Sequence, residues 1–159
     1  MKYTIGIDIG TSGTKTVLFD SLGRKQASST IEYPLYQPQN GWAEQDPADW
    51  KNAVFTSVSE AVKKSGVDTA DIVGIGLSGQ MHGLVMLDAD GNVLRRSIIW
   101  CDQRTAAECA DIENLVGKKR LIEISANPAL TGFTASKILW VKKNEPEIYA
   151  RCRHILLPK

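Results

Sequence analysis

Residues 5–16 read IGIDIGTSGTKT: an acid between two glycines, then a run of hydroxyls, a third glycine and a lysine. Glycine-rich turns that follow strands often cradle phosphate, yet a carboxylate in the middle of one repels it. The flanking residues decide what this turn joins. YTIGIDI (3–9) and TKTVLFD (14–20) are strand-like runs on either side, and DSLGR makes a second turn into KQASSTIEY (25–33). Connections this short cannot hold a crossover, so the three runs predict an antiparallel meander.

With one strand ending at Asp8 and the next beginning near Thr14, residues 10–13 form a tight turn. Its backbone N–H groups and the hydroxyls of Thr11, Ser12 and Thr14 can surround phosphate oxygens, with Lys15 as counter-charge. Asp8 then has a purpose if Mg²⁺ lies between it and the phosphates, since that ion is held by one or two carboxylates plus substrate phosphates. The same spacing also fits a plain hairpin whose polar residues merely complete the turn.

Beyond the meander, PLYQPQNGW is a loop, and Asp46-Pro47 supplies an N-cap and a first-turn proline. Trp50, Val54, Val58 and Val62 recur at four-residue spacing along one helical face, and Gly66 ends that helix. DIVGIGLSG (71–79) is a strand. GLVMLD, the turn ADGN and VLRRS read as a hairpin leading into SIIWCD. A helix over residues 104–116 is expected to bury Cys109, Ile112 and Val116. Another over residues 135–144 stops before Pro146, HILLPK opens a further strand, and Lys118, Lys119 and Arg120 read as a solvated turn. This order predicts an α/β fold, a mixed sheet with flanking helices, and no linker toward a second complete domain.

Composition narrows the function classes. The 159 residues are 43% hydrophobic and 23% charged with a net charge of +1, which suits a packed domain and gives no footprint for nucleic acid or membrane. The N-terminal apolar run is broken by Asp8, unlike a signal peptide. Three cysteines (Cys101, Cys109 and Cys152) without CxxC spacing read as free thiols in a reducing, cytoplasmic setting.

Two phosphate-loop readings fail. Gly74, Gly76 and Gly79 satisfy GxGxxG, with Asp102 as a distant acid, but the dinucleotide fingerprint requires its glycines to open a helix. Here a hairpin pattern follows instead. No GK[ST] stands at Walker A spacing either. His82 sits just past a strand end, where open α/β sheets bind ligands, and its imidazole can donate to or accept from a hydroxyl. Taken alone, it reads as a satisfied structural histidine. Met81 alone reads as core filling and Trp100 as a packing aromatic. Arg104 fits an exposed place in the first turn of its helix.

Taken together, GIDIGTSGTK, GWAEQDPADW, GIGLSGQMHGLVMLD, IIWCDQRTAAEC, GFTASKILWVKKNEPE and HILLPK resemble the FGGY carbohydrate kinases of the actin/hexokinase superfamily. The likeness runs essentially end to end and favours the branch whose sugar is D-xylulose, with gluconate or another pentulose as the alternative. It implies an actin/hexokinase-like (RNase H-like) mixed sheet and ATP and Mg²⁺ as cofactors. Asp8 would organise the metal near the γ-phosphate, as the positioning member of the catalytic set. Gly10, Thr11, Ser12 and Gly13 would contact phosphate, with Lys15 beside them, and Met81 and His82 would contact the sugar, with Asp102 and Trp100 close to its pocket. The resemblance also implies that residues 1–159 are an incomplete N-terminal part of the first, sugar-binding domain. The aspartate base and the ATP-binding domain would then belong to the remainder of the kinase chain. An exposed sheet edge would favour homo-oligomers, and a non-catalytic sugar-binding or assembly module is the reading from another class. An RNase H-like nuclease fails, because the end of the fourth strand, GLSGQM, carries none of the carboxylates that two-metal chemistry needs.

Overall fold

Alternation of apolar and polar residues builds the first sheet. In the computed structural model, which describes residues 1–159, β1 (Tyr3–Ile9), β2 (Gly13–Asp20) and β3 (Lys25–Glu32) form the expected meander. Ile5, Ile7 and Ile9 of β1 and Thr14, Thr16 and Leu18 of β2 are buried on one face, while Asp8 and Lys15 are exposed on the other. After the two-residue β4 (Glu44–Gln45), helix α1 runs over Pro47–Ser65, and Gly66 at φ 66° follows it. A single 3₁₀ turn (Thr69–Asp71) leads into β5 (Ile72–Gly79), which lies parallel to β1, giving the order β3-β2-β1-β5. This four-stranded mixed sheet with its helix bears out the expected α/β class.

The buried stripe of α1 differs from the expected one. It is Trp50, Ala53, Ser57 and Ala61, with Val54, Val58 and Val62 only half-buried beside it. Small residues let the helix backbone approach the sheet, and the Ser57 hydroxyl meets the Thr16 hydroxyl at 2.7 Å in the buried contact. Larger β-branched side chains turn to the flanks.

The remaining elements are β6 (Val85–Leu87), β7 (Ser97–Ile98), α2 (Ala106–Val116), α3 (Lys118–Ser125), α4 (Thr134–Asn144), α5 (Pro146–Arg151) and β8 (His154–Leu156). The chain forms two compact units, one of residues 1–34, 47–80 and 159, the other of 35–46 and 81–158. Neither is a continuous segment. In the second unit β4 pairs with β7 and β6 with β8, both antiparallel. Its core is Leu84, Met86, Ile98 and Val141, with Ile138, Trp140 and Ile148 packed against it.

Several elements of the second unit depart from the sequence reading. The Asp88–Asn92 turn forms, but its second arm pairs with β6 only through Leu87–Val93 and Leu94–Met86 contacts. The chain leaves the hairpin at Arg95, whose guanidinium goes to Glu44 and Glu145, and β6 finds its strand partner in β8. Helix α2 buries Glu108, while Cys109 and Ile112 are half-buried and Val116 is exposed. Its inner side is polar because Lys143 of α4 pairs with Glu108 and Asp111. Lys118, Lys119 and Arg120 are solvated as expected but form the first turn of α3 instead of a loop. Pro146 both follows α4 and opens α5 at its first position.

Candidate functional site

The turn at residues 10–13 lies in the first unit. The Gly10 N–H donates to the Gly13 carbonyl at 3.1 Å, closing the hairpin between β1 and β2. A Cβ on Gly13 would stand 2.7 Å from the Ile31 carbonyl, and one on Gly10 would stand 3.2 Å from the Gly13 carbonyl. Only glycine lets β3 and the turn come this close. Two side chains absent from the sequence reading hold the turn from behind. The Tyr33 phenol donates to the Gly10 carbonyl, and the Gln80 side-chain amide approaches the same oxygen at 3.4 Å. Burial pushes the Tyr33 phenol above its ordinary value, aided by the charge of Asp8. Tyr33 therefore stays protonated and donating.

The candidate ligands sort themselves by strand alternation. Ser12 is exposed and Thr11 half-exposed at the turn, but Thr14 is fully buried on the α1 face, so its hydroxyl does not reach a phosphate. Asp8 and Lys15 stand directly opposite each other on the outer face without forming an ion pair. An open depression of about 360 Å³ is lined by Gly6, Asp8, Lys15, Val17, Gly76 and Ser78. Gly6 and Gly76 are register partners, so its floor is bare backbone. The glycines of GIGLSG thus lie in a strand and not at a helix start, in line with the rejected dinucleotide reading.

The other candidates belong to the second unit. Met81 is 58% exposed and Trp100 48% exposed. His82 adopts a left-handed backbone, φ 62°, and its ring packs against Phe133 at 4.5 Å between centroids. Beside it lies an apolar cavity of about 290 Å³, walled by His82, Ile112, Leu121, Leu130, Phe133 and Ser136. The His82 carbonyl accepts from Lys137 Nζ at 2.7 Å and from Thr134 Oγ1 at 3.2 Å. Lys137 is fully buried, and burial pulls its amine down to about 8, against the opposing charges of Asp102 and Cys101. No local sequence signal gives this lysine a role.

Asp102 is wholly buried, and its carboxylate is engaged inside the unit. One oxygen accepts from the Arg104 backbone N–H at 2.9 Å, and the other from the Ala43 N–H at 2.6 Å and an Arg104 terminal nitrogen at 2.8 Å. Arg104 precedes α2, and its side chain is only 1% exposed, contrary to the exposed place expected for it. Its guanidinium stacks on Trp42 at 3.7 Å and pairs with Glu44 at 2.8 Å. All three cysteines are free, and burial pushes the Cys101 thiol up, which makes it a poor nucleophile.

The structure therefore gathers Asp8, Gly10, Thr11, Ser12, Gly13 and Lys15 in one unit, and Met81, His82, Trp100 and Asp102 in the other. No group of three His, Cys, Asp or Glu side chains is placed to form a metal cage, and Asp8 stands as a lone carboxylate. No helix is long and apolar enough to cross a membrane.

Comparison with known proteins adds the family. Residues 3–159 match the N-terminal domain of the FGGY family of carbohydrate kinases. The chain is 46% identical over its whole length to the xylulose kinase of Bacillus subtilis, covering 32% of that protein. It superposes on the xylulose kinase of Rhodospirillum rubrum with a TM-score of 0.93 at 26% identity, covering 99% of this chain and 32% of that one. The gluconate kinase of Lactobacillus acidophilus gives 0.89 at 32% identity, covering 98% and 31%. The chain thus spans about a third of the length of these relatives, and the two solved structures share the expected mixed-sheet kinase fold.

Proposed function

Since this chain belongs to the FGGY family of carbohydrate kinases, we propose that it forms the N-terminal part of an ATP-dependent xylulokinase. The reaction is phosphorylation of D-xylulose to D-xylulose 5-phosphate in the cytoplasm. The observation that carries the phosphoryl-transfer half is the exposed, unpaired Asp8 facing out beside the turn at residues 10–13. A lone carboxylate of this kind fits Mg²⁺, which takes one or two protein carboxylates and completes its shell with phosphates and water. When bound there, the metal neutralises phosphate charge. The hydroxyls of Thr11 and Ser12 contact phosphate oxygens, and Lys15 adds positive charge on the same face.

Met81 and His82 orient the sugar, and Trp100 borders it. Asp102 acts from below the surface, by fixing the Trp100–Asp102 segment through Arg104 and Ala43. The aspartate that accepts the sugar hydroxyl's proton lies outside residues 1–159, as does the adenine site, so these residues alone do not turn over ATP. On the α1 face of edge strand β5, Val73, Ile75 and Leu77 are exposed. The remainder of the kinase chain covers them, and residues 1–159 in isolation self-associate through them.

Gluconate as acceptor is the second reading, favoured by the likeness to the Lactobacillus acidophilus enzyme. The sugar half is tested by His82→Ala in the full-length polypeptide. Loss of an imidazole contact to a hydroxyl should raise the sugar KM roughly tenfold to a hundredfold, with the ATP KM within about twofold. Parallel increases in both would remove His82 from the sugar pocket.

A further inference from the structure

We propose that Lys137 is a positioning residue for sugar binding, holding His82 in its left-handed backbone by an ammonium shared between two carbonyls. This rests on the sugar-site reading of His82 given above.

Two features of the second unit make it more than a structural lysine. A non-glycine residue at φ 62° is uncommon and persists where its surroundings over-determine it. Those surroundings are the start of α4. Lys137 Nζ donates to the His82 carbonyl and to the Gly132 carbonyl, each at 2.7 Å. Thr134 Oγ1 donates to the same His82 oxygen, and the Phe133 ring lies against the imidazole. Gly132 is itself pinned, because a Cβ there would stand 2.8 Å from the Trp100 carbonyl. One short stretch therefore grips His82 by its backbone and ring, and abuts the segment that carries Trp100.

The choice of lysine is the second feature. A buried ammonium without an ion-pair partner is expensive, and an apolar side chain would fill the space more cheaply. Nζ makes no salt bridge; the charged or titratable groups acting on it are Asp102, Cys101 and Arg104. Its ammonium has three rotatable donors, which suits two carbonyls from separate segments in a way that the planar guanidinium does not. An amine near 8 is still mostly protonated at neutral pH, so the clamp is closed under ordinary conditions. Fully buried, Lys137 does not touch the sugar; it sets where the imidazole points.

The test uses the full-length polypeptide carrying residues 1–159, with Lys137→Met, Thr134→Val, His82→Ala and the Lys137→Met/His82→Ala pair. Three quantities are read: sugar KM, ATP KM, and the His82 ring resonance in protein labelled at histidine Cε1, identified by its loss in His82→Ala. Lys137→Met should shift that resonance and raise the sugar KM about tenfold to a hundredfold, the scale expected when a binding group is misplaced by about 1 Å. ATP KM should hold, and the double variant should be no worse than His82→Ala alone. Thr134→Val should move the same readouts in the same direction by less, and it decides the matter if Lys137→Met does not fold. An unchanged resonance removes the clamp, and additive losses or equal effects on both KM values reduce Lys137 to a structural residue. A shifted resonance with sugar KM unaffected in every variant, His82→Ala included, removes the sugar role of His82 instead.

Discussion

Asp8→Asn should lower kcat for sugar-dependent ADP formation by roughly 10²–10³-fold in the full-length polypeptide, the scale seen when one preorganised electrostatic group is lost. The exchange keeps the shape of the side chain and removes its charge. Asp8 sits on the outer face of β1, exposed, opposite Lys15 but unpaired with it. The amide therefore breaks no ion pair and exposes no core, and the stability change should stay within about 0.5 kcal/mol. A neutral amide is a weaker ligand for a hard cation than a carboxylate, so the remaining activity should need more Mg²⁺ for half-saturation. Rate, melting temperature and a Mg²⁺ titration check the three statements together. A kcat within twofold of the original would return Asp8 to the plain hairpin that its spacing also allows.

Arg104→Met should be the most damaging single change to the fold, destabilising by about 3–5 kcal/mol. The guanidinium is buried between the carboxylates of Asp102 and Glu44, each at 2.8 Å, and stacks on Trp42 and Trp140 at 3.7 and 4.9 Å. Its removal leaves the wholly buried Asp102 without its cationic partner, held only by the backbone N–H groups of Ala43 and residue 104. Glu44 is less affected, because Arg95 still pairs with it at 2.6 Å. For a chain of this size the midpoint should fall by about 6–20 °C. Removing Asp102 at the same time should restore part of the loss, since the two charges depend on each other. Urea unfolding of the two single variants and the double one measures that coupling. A loss below about 1 kcal/mol for Arg104→Met would mean that water or another donor reaches Asp102.

The meander, α1 and the turn at residues 10–13 were legible because their determinants are local. Two-residue alternation, a glycine-rich turn, Asp46-Pro47 and Gly66 all act within a few residues of what they specify. The inner stripe of α1 was misread because hydropathy favours Val54, Val58 and Val62, whereas the sheet is met by Ala53, Ser57 and Ala61 at close range. Helix α5 is not legible from Pro146, which reads as a stop for α4 although proline also opens helices. Buried Glu108, Asp102, Arg104 and Lys137 were invisible for a different reason. A charged residue is buried only when a partner exists, and the partners lie far away in sequence. His82 and Lys137 are 55 positions apart, and Asp102 and Ala43 are 59 apart. The turn could therefore be read residue by residue, while the grip on His82 emerged only in three dimensions.

The most direct measurement is ADP release by the full-length polypeptide with ATP and Mg²⁺ across D-xylulose, D-ribulose, gluconate and glycerol. D-xylulose should give the highest kcat/KM, at least about tenfold above each of the others, a margin of about 1.4 kcal/mol in transition-state binding. Background turnover with D-xylulose, or faster turnover with gluconate, would contradict the assignment.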